Sequence, residues 1–386
     1  AKRRRLSSLT LTSSPSCGPW QAGSTQAIEE GRELARDIGS ADPERMTPVR
    51  LAEIVAAQCR PAGIAVEILD DVNLIRRDYP LLHAVARASL PVERHHPRVV
   101  RLAWQGSGAV ERTVLIAGKG VTYDTGGADI KTGGGMAGMR RDKCGAAAAA
   151  GFILACARAP AELTRGLRVV VELGCVRNSI GSDAYVADEV ITSHAGKRVL
   201  VGNTDMEGRM VLADCLSHLR ARAIQEALPR PTFLSLATLT GHAKLSYGSY
   251  AVALDTAAAR AAGGVGSKLA VAGGLLGQPI EVGSVRREDY DFIAPGAVGT
   301  PVSKCPDAYD VLQANTSPSV ATRRGHQFPA AFLSIASGLQ EHGPSSKTPM
   351  PYCHMDLADS VVDARGVETG SPIIPLFGAF VLGLPH

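Results

Sequence analysis

The chain has 386 residues, 45% of them hydrophobic but only 4% aromatic, so a sizeable core must be packed mainly by aliphatic side chains and alanine. A formal net charge of +4 is too slight to argue for nucleic-acid binding. No apolar run approaches the roughly 20 residues of a membrane-spanning helix, and the stretch from Ile373 to Leu384 is short and contains Pro375. Length alone suggests two or three domains, or one large α/β unit.

Lys2-Arg3-Arg4-Arg5 opens the chain, no acid appears before Glu29, and residues 1–26 are rich in serine and threonine. This segment reads as an interdomain linker or surface loop, with an organellar, mitochondrial-type transit segment as the other reading. Ala27–Asp37 and Pro48–Cys59 are predicted helices, the second with Thr47 as N-cap and proline at its first position. Ile64–Leu69, Val99–Trp104 and Thr113–Ala117 are predicted strands, with His95-His96 in a loop between them. An alanine-rich helix is expected over Gly145–Ala157, then a strand over Arg168–Leu173, a helix over Met210–Arg222 and a strand over Thr232–Leu236. Gly263–Lys268 lacks P-loop spacing and reads as a flexible loop, and Phe328–Leu339 as a helix. Apolar strands alternating with helices predict an α/β fold, a mostly parallel sheet covered by helices on both faces. Eight scattered cysteines, with no Cys-x-x-Cys pair, point to a reducing compartment; Cys156 and Cys215 read as small buried hydrophobes.

Two stretches carry the chemistry. Gly118 to Asp142 contains Lys119, Asp124, Lys131 and Asp142, and Asn203-Thr204-Asp205-Met206-Glu207-Gly208-Arg209 follows later. Each residue has a bland reading: Lys119 as a solvated loop lysine, Asp124 as a turn residue before Gly126-Gly127, Asp142 as the cap of the next helix. Asp205 and Glu207 could be an acidic first turn, with Lys131 and Arg209 as their partners. Those readings do not explain the concentration. Four carboxylates in one pocket repel one another and raise each other's pKa. Divalent cations relieve the conflict, and carboxylates shared by two metals are the usual form of a two-metal hydrolytic site. The motifs follow strands, which places them at the carboxyl edge of the sheet, where open α/β folds bind ligands.

These segments closely resemble the leucine (cytosol) aminopeptidase family, dinuclear metallo-aminopeptidases with a zinc-exopeptidase-like catalytic domain. The resemblance rests on Lys119-Gly-x-Thr-x-Asp124-x-Gly-Gly, on Asn203-Thr-Asp-x-Glu-Gly-Arg209, on the spacing of Lys131 from Asp142, and on Ala237-Thr238-Leu239-Thr240-Gly241. It reaches back to Ala27–Pro48 and forward to His354–Gly370. Tyr123-Asp-Thr-Gly-Gly127 and Arg323-Arg324-Gly325-His326 are similar to a less typical branch, the probable aminopeptidases. The resemblance implies that Asp124 and Glu207 bridge two metals, that Lys119 and Asp142 complete the tighter site, and that Asp205 completes the exchangeable one. It implies Zn2+, with Mn2+ or Mg2+ able to replace it. A lysine ligand must be neutral, so the metal has to depress its pKa. Lys131 would hold the scissile carbonyl or its oxyanion, and Arg209 a bicarbonate acting as general base. Met139, Asn203, Thr238 and Gly241 would line the substrate pocket.

Further implications are a cytoplasmic homohexamer acting on short peptides, and a smaller domain ahead of the catalytic one for which this chain has no room, leaving 27–386 as the catalytic domain. The sequence departs from the family at Met206, where a small alanine is usual; methionine would narrow the pocket or add a thioether contact. Asp129 replaces a small hydroxyl residue, Arg141-Asp142-Lys143-Cys144 a less charged run, and Ala187-Asp188-Glu189-Val190 a proline-glycine turn. The expected function is two-metal hydrolysis of N-terminal residues from peptides. The alternative, motivated by those charged substitutions, is a weakly active or inactive structural or interaction protein; a two-metal phosphoesterase is a third possibility on carboxylates alone.

Overall fold

The computed structural model describes residues 19–296 and 306–384. Its strands, in chain order, are β1 (Ala65–Leu69), β2 (Arg98–Gln105), β3 (Arg112–Asp124), β4 (Leu167–Asn178), β5 (Val190–Thr192), β6 (Arg198–Leu200), β7 (Pro231–Ala237), β8 (Ala251–Asp255), β9 (Ile280–Ser284), β10 (Val311–Leu312) and β11 (Tyr352–Asp356). Eight form one sheet in the order β1-β2-β4-β3-β7-β11-β8-β9, while β10, β6 and β5 make a small second sheet. The four central strands β4, β3, β7 and β11 run parallel. Strand β2 is antiparallel to β4, and β8 is antiparallel to β11.

Strand β3 shows why the sheet is covered on both sides. Val114 and Ile116 enter one core with the helices Pro48–Cys59 and Cys144–Arg158, and Leu115, Ala117 and Val121 enter the other with the helices Glu207–Gln225 and Phe328–Ala336. An unbroken apolar run such as Val114–Gly118 suits such two-sided burial, since a half-exposed strand would alternate with polar residues. The α/β architecture expected from the sequence is therefore the one observed.

Several boundaries differ. The first helix runs from Pro19 to Ser40, beginning before the predicted Ala27; residues 1–18, including the basic run, lie outside the described residues. Strand β3 continues through Gly118-Lys119-Gly120 to Asp124, because Lys119 is neutralised by acids brought from other elements. The predicted flexible loop at Gly263 ends at Gly264. Val265 starts a helix that runs to Leu275, and Gly266 N–H donates to the Asp255 carboxylate, at 3.0 Å to each oxygen. Ile373–Phe380 is a short buried helix. Among the described residues no helix is long and apolar enough to cross a membrane.

Candidate active site

The carboxyl ends of the parallel strands open into a cavity of about 670 Å³. Strand β3 delivers Lys119 and, at its end, Asp124. A glycine turn then returns Lys131: Gly126 (φ +91°) and Gly127 (φ +66°) take left-handed conformations that other residues adopt rarely. Asp142 precedes the helix Cys144–Arg158, which carries no side-chain cap, so Asp142 is not the capping residue of the bland reading. Its Oδ1 accepts from Lys119 Nζ at 2.7 Å and from Thr238 Oγ1 at 2.9 Å. Asp205 lies in the 3-10 turn Thr204–Met206, and Glu207 opens the following helix.

The amines sit among the acids. Lys119 Nζ is 2.7 Å from Asp142 Oδ1 and 2.7 Å from Glu207 Oε1, and Lys131 Nζ is 2.9 Å from Asp124 Oδ2 and 2.5 Å from Asp205 Oδ1. Burial alone would lower both lysines, but the surrounding carboxylates outweigh it and hold both ammoniums well above the usual lysine range. The acids move upward as well. Burial raises Asp124, then Glu207 beside it; burial raises Asp142 and Glu207 against the pull of Lys119; and burial with Asp124 pushes Asp205 up to about 7.

The donor set fits divalent cations. One oxygen each of Asp124, Asp205 and Glu207 lies within 4.8 Å of the others. Asp142 Oδ2 is buried and makes no hydrogen bond, while Glu207 Oε1 and Asp205 Oδ1 face only a lysine ammonium, at 2.7 and 2.5 Å. A buried carboxylate oxygen left without a partner, as Asp142 Oδ2 is, is costly unless a cation takes it. Gly208 keeps the corner open: a Cβ there would lie 2.6 Å from Lys119 Cε.

All eleven residues singled out from the sequence line this one cavity: Lys119, Asp124, Lys131, Met139, Asp142, Asn203, Asp205, Glu207, Arg209, Thr238 and Gly241. Arg209 differs from its bland reading as a partner of the acids. Its Nη1 donates to the Gln313 carbonyl at 2.9 Å, its Nη2 to Met206 Sδ at 3.4 Å, and its guanidinium lies 4.8 Å from the Phe328 ring centre. Its Nε is buried without a partner, and burial lowers its pKa to about 10. Met206 also lines the cavity, with its thioether sulfur turned onto Arg209.

The charged departures are absorbed structurally. Asp129 Oδ2 accepts from Thr204 N at 2.7 Å and from Thr204 Oγ1 at 3.1 Å, tying the Lys131 loop to the Asp205 turn. Arg140 and Arg141 both pair with Glu368, and buried Lys143 donates to the Ala41 carbonyl. Asp188 takes φ +72° where the glycine turn is missing, and Glu189 pairs with Arg87 at 2.7 Å.

A family model described as "Cytosol aminopeptidase family, catalytic domain" matches residues 33–271. The chain belongs to the cytosol aminopeptidase family. It is similar to a Caenorhabditis elegans protein named "Putative aminopeptidase", 42% identical over 361 residues, covering 94% of this chain and 66% of that protein. It is also similar to the "Probable cytosol aminopeptidase" of Xylella fastidiosa (41% identical, 60% of this chain and 44% of that one) and of Stenotrophomonas maltophilia (39%, 58% and 43%). The chain thus spans between two fifths and two thirds of these relatives' length.

Three positioning residues of this family member escaped the sequence reading. Asn178 Nδ2 donates to Asp124 Oδ1 at 2.8 Å and to the Thr204 carbonyl at 3.1 Å. Buried Gln313 accepts from Gly202 N and Asn203 N, both at 3.1 Å, and donates to the Asn203 and Met206 carbonyls at 2.8 and 3.0 Å. Buried Asp356 accepts from Leu239 N, Thr240 Oγ1 and Ala358 N at 3.1, 2.6 and 3.2 Å. Only Asp356 carried a signal, an acid at the carboxyl end of β11.

Proposed function

We propose that the protein is a two-metal aminopeptidase that removes N-terminal residues from short peptides. The observation that carries this reading is the cluster of four carboxylates about Lys119, three of them buried and Asp205 half-buried, in which Asp124, Asp205 and Glu207 each bring an oxygen within 4.8 Å of the others and Asp142 Oδ2 has no partner. Asp124 and Glu207 would be shared by both ions, with Lys119 and Asp142 completing one site and Asp205 the other. When bound, the ions supply Lewis acidity and lower the pKa of water. Zinc suits the mixed nitrogen and oxygen donors, with manganese or magnesium at the all-oxygen site.

The chain's own residues supply the rest. Lys119 would ligate as the neutral amine, which requires loss of the proton that the acids now hold. Lys131, now paired with Asp124 and Asp205, would be free to hold the scissile carbonyl and stabilise its developing negative charge when those acids hold metal. Arg209, buried in the cavity wall with an unpartnered Nε, would hold a bicarbonate that accepts the proton. Met139, Asn203, Thr238 and Gly241 would border the N-terminal residue. The family resemblance supports a homohexamer, and the relatives' printed names support a cytosolic location. Retention of every ligand argues against a non-catalytic scaffold.

Metal content decides the reading. Reconstituted protein should bind about two divalent ions per chain and release leucine from leucyl amides, Asp124→Ala should lose both ions, and Asp205→Ala should mainly weaken one. Failure to bind stoichiometric metal after reconstitution would reject it.

A further inference from the structure

Resting on that function, we infer that Asp359 selects for a basic N-terminal residue, taking the cationic tip of an arginine or lysine side chain. The juxtaposition behind this is an apolar wall and an exposed ion pair in the lining of one cavity. Gly241 and Val320 form the wall: they are close enough that a Cβ at 241 would lie 2.9 Å from Val320 Cγ1. One helical turn beyond Gly241, Lys244 Nζ meets Asp359 Oδ2 at 2.7 Å, and both residues line the same cavity as the carboxylate cluster. An aliphatic stem against Val320 with a positive charge at its end has the chemistry of arginine and lysine.

The backbone leading into Asp359 is tied to the centre. Thr238 bonds Lys119 through its carbonyl and Asp142 through its hydroxyl. Asp356 then clamps the Leu239-Thr240 backbone to Ala358, the residue before Asp359. Lys244, by contrast, has a long side chain that is 61% exposed, against 41% for Asp359. An exposed ion pair of this kind is weak and costs little to exchange. A substrate cation can therefore displace Lys244 into solvent while the carboxylate stays in place. An acidic side chain would have to remain beside Asp359, so the selection is one-sided.

The test compares arginyl with leucyl ligands within each preparation, so partial unfolding cancels. Specificity constants for arginyl and leucyl amides, and dissociation constants for arginine and leucine hydroxamates, are measured on the zinc-reconstituted protein. Asp359→Asn should lower the arginine-to-leucine ratio about two- to fivefold, the size of one exposed ion pair. Lys244→Ala, which removes the competing cation, should raise it by a similar factor. An unmoved ratio in Asp359→Asn, or a fall in Lys244→Ala, overturns the inference. If the protein hydrolyses neither amide, the aminopeptidase reading fails, and the hydroxamate ratio still decides the role of Asp359.

Discussion

Adding one methyl group at Gly208 should damage the proposed metal centre far more than it damages the fold. A Cβ there would lie 2.6 Å from Lys119 Cε, 2.7 Å from Lys119 Cδ and 2.8 Å from Leu239 Cδ1. Lysine tips usually move aside cheaply, but this one is held by Asp142, Glu207 and the Thr238 carbonyl, so the overlap must be relieved at the site itself. Overpacking costs about 1–3 kcal/mol, and replacing a helical glycine by alanine returns about 1 kcal/mol. The net loss of stability should thus be about 0–2 kcal/mol. Metal affinity is less forgiving, because disturbing the groups that orient a ligand typically costs about 10- to 100-fold. Gly208→Ala should therefore remain folded in urea titrations while its zinc affinity falls by that factor in competition with a chelator. Gly274→Ala is the control. A Cβ there meets nothing within 4 Å, so it should gain up to about 1 kcal/mol and leave zinc binding alone. Wild-type zinc affinity in Gly208→Ala would refute the placement of Lys119 as a ligand.

Three further outcomes are expected. Lys131→Ala should keep its metals while turnover on a leucyl amide falls about 100- to 1,000-fold, as for loss of one oxyanion donor; metal loss in elemental analysis would contradict the role. Met206 turns its sulfur onto Arg209, so Met206→Ala should change leucyl and alanyl specificity constants together; a ratio shifted more than about tenfold would mean that the side chain gates the pocket. Buried Asp214 accepts three backbone N–H bonds, from Leu81, Leu82 and His194, yet burial raises its carboxyl to about 7. Its folded value lies above its unfolded one, so its stabilising contribution is complete below about pH 4 and lost as the pH rises through 7. Three pKa units set an upper bound of about 4 kcal/mol. Relative to wild type, Asp214→Asn should gain a few kcal/mol in unfolding free energy between pH 4 and 8, and a difference flat in pH would show that the carboxylate stays ionised throughout.

What the sequence made legible and what it hid follow from the range of the interactions involved. The stretch Val114–Gly118 of strand β3 and all of the helix Cys144–Arg158 but its last residue are apolar, so local composition suffices to place them. The continuation of β3 through Lys119 was hidden because a charged residue between two glycines reads as loop until Asp142 and Glu207 arrive from 23 and 88 positions away to neutralise it. Four of the five proposed ligands are recognisable in two short motifs, since the chemistry demands those groups at those spacings. Their geometry depends on residues that carry no such demand. Gln313 ties Gly202, Asn203, Met206 and Arg209 together with four side-chain bonds and its own carbonyl, across more than 100 positions. A buried amide can satisfy any backbone it faces, so nothing in its neighbours' identity marks it. Asp129 inverts the problem: beside Lys131 it reads as a disturbance of the site, and only the fold shows its charge held by the backbone and hydroxyl of Thr204. Substitutions near a proposed metal centre therefore have to be judged by where their charge is satisfied, and in this chain Asp129, Arg141 and Lys143 are each satisfied by groups outside the proposed ligand set.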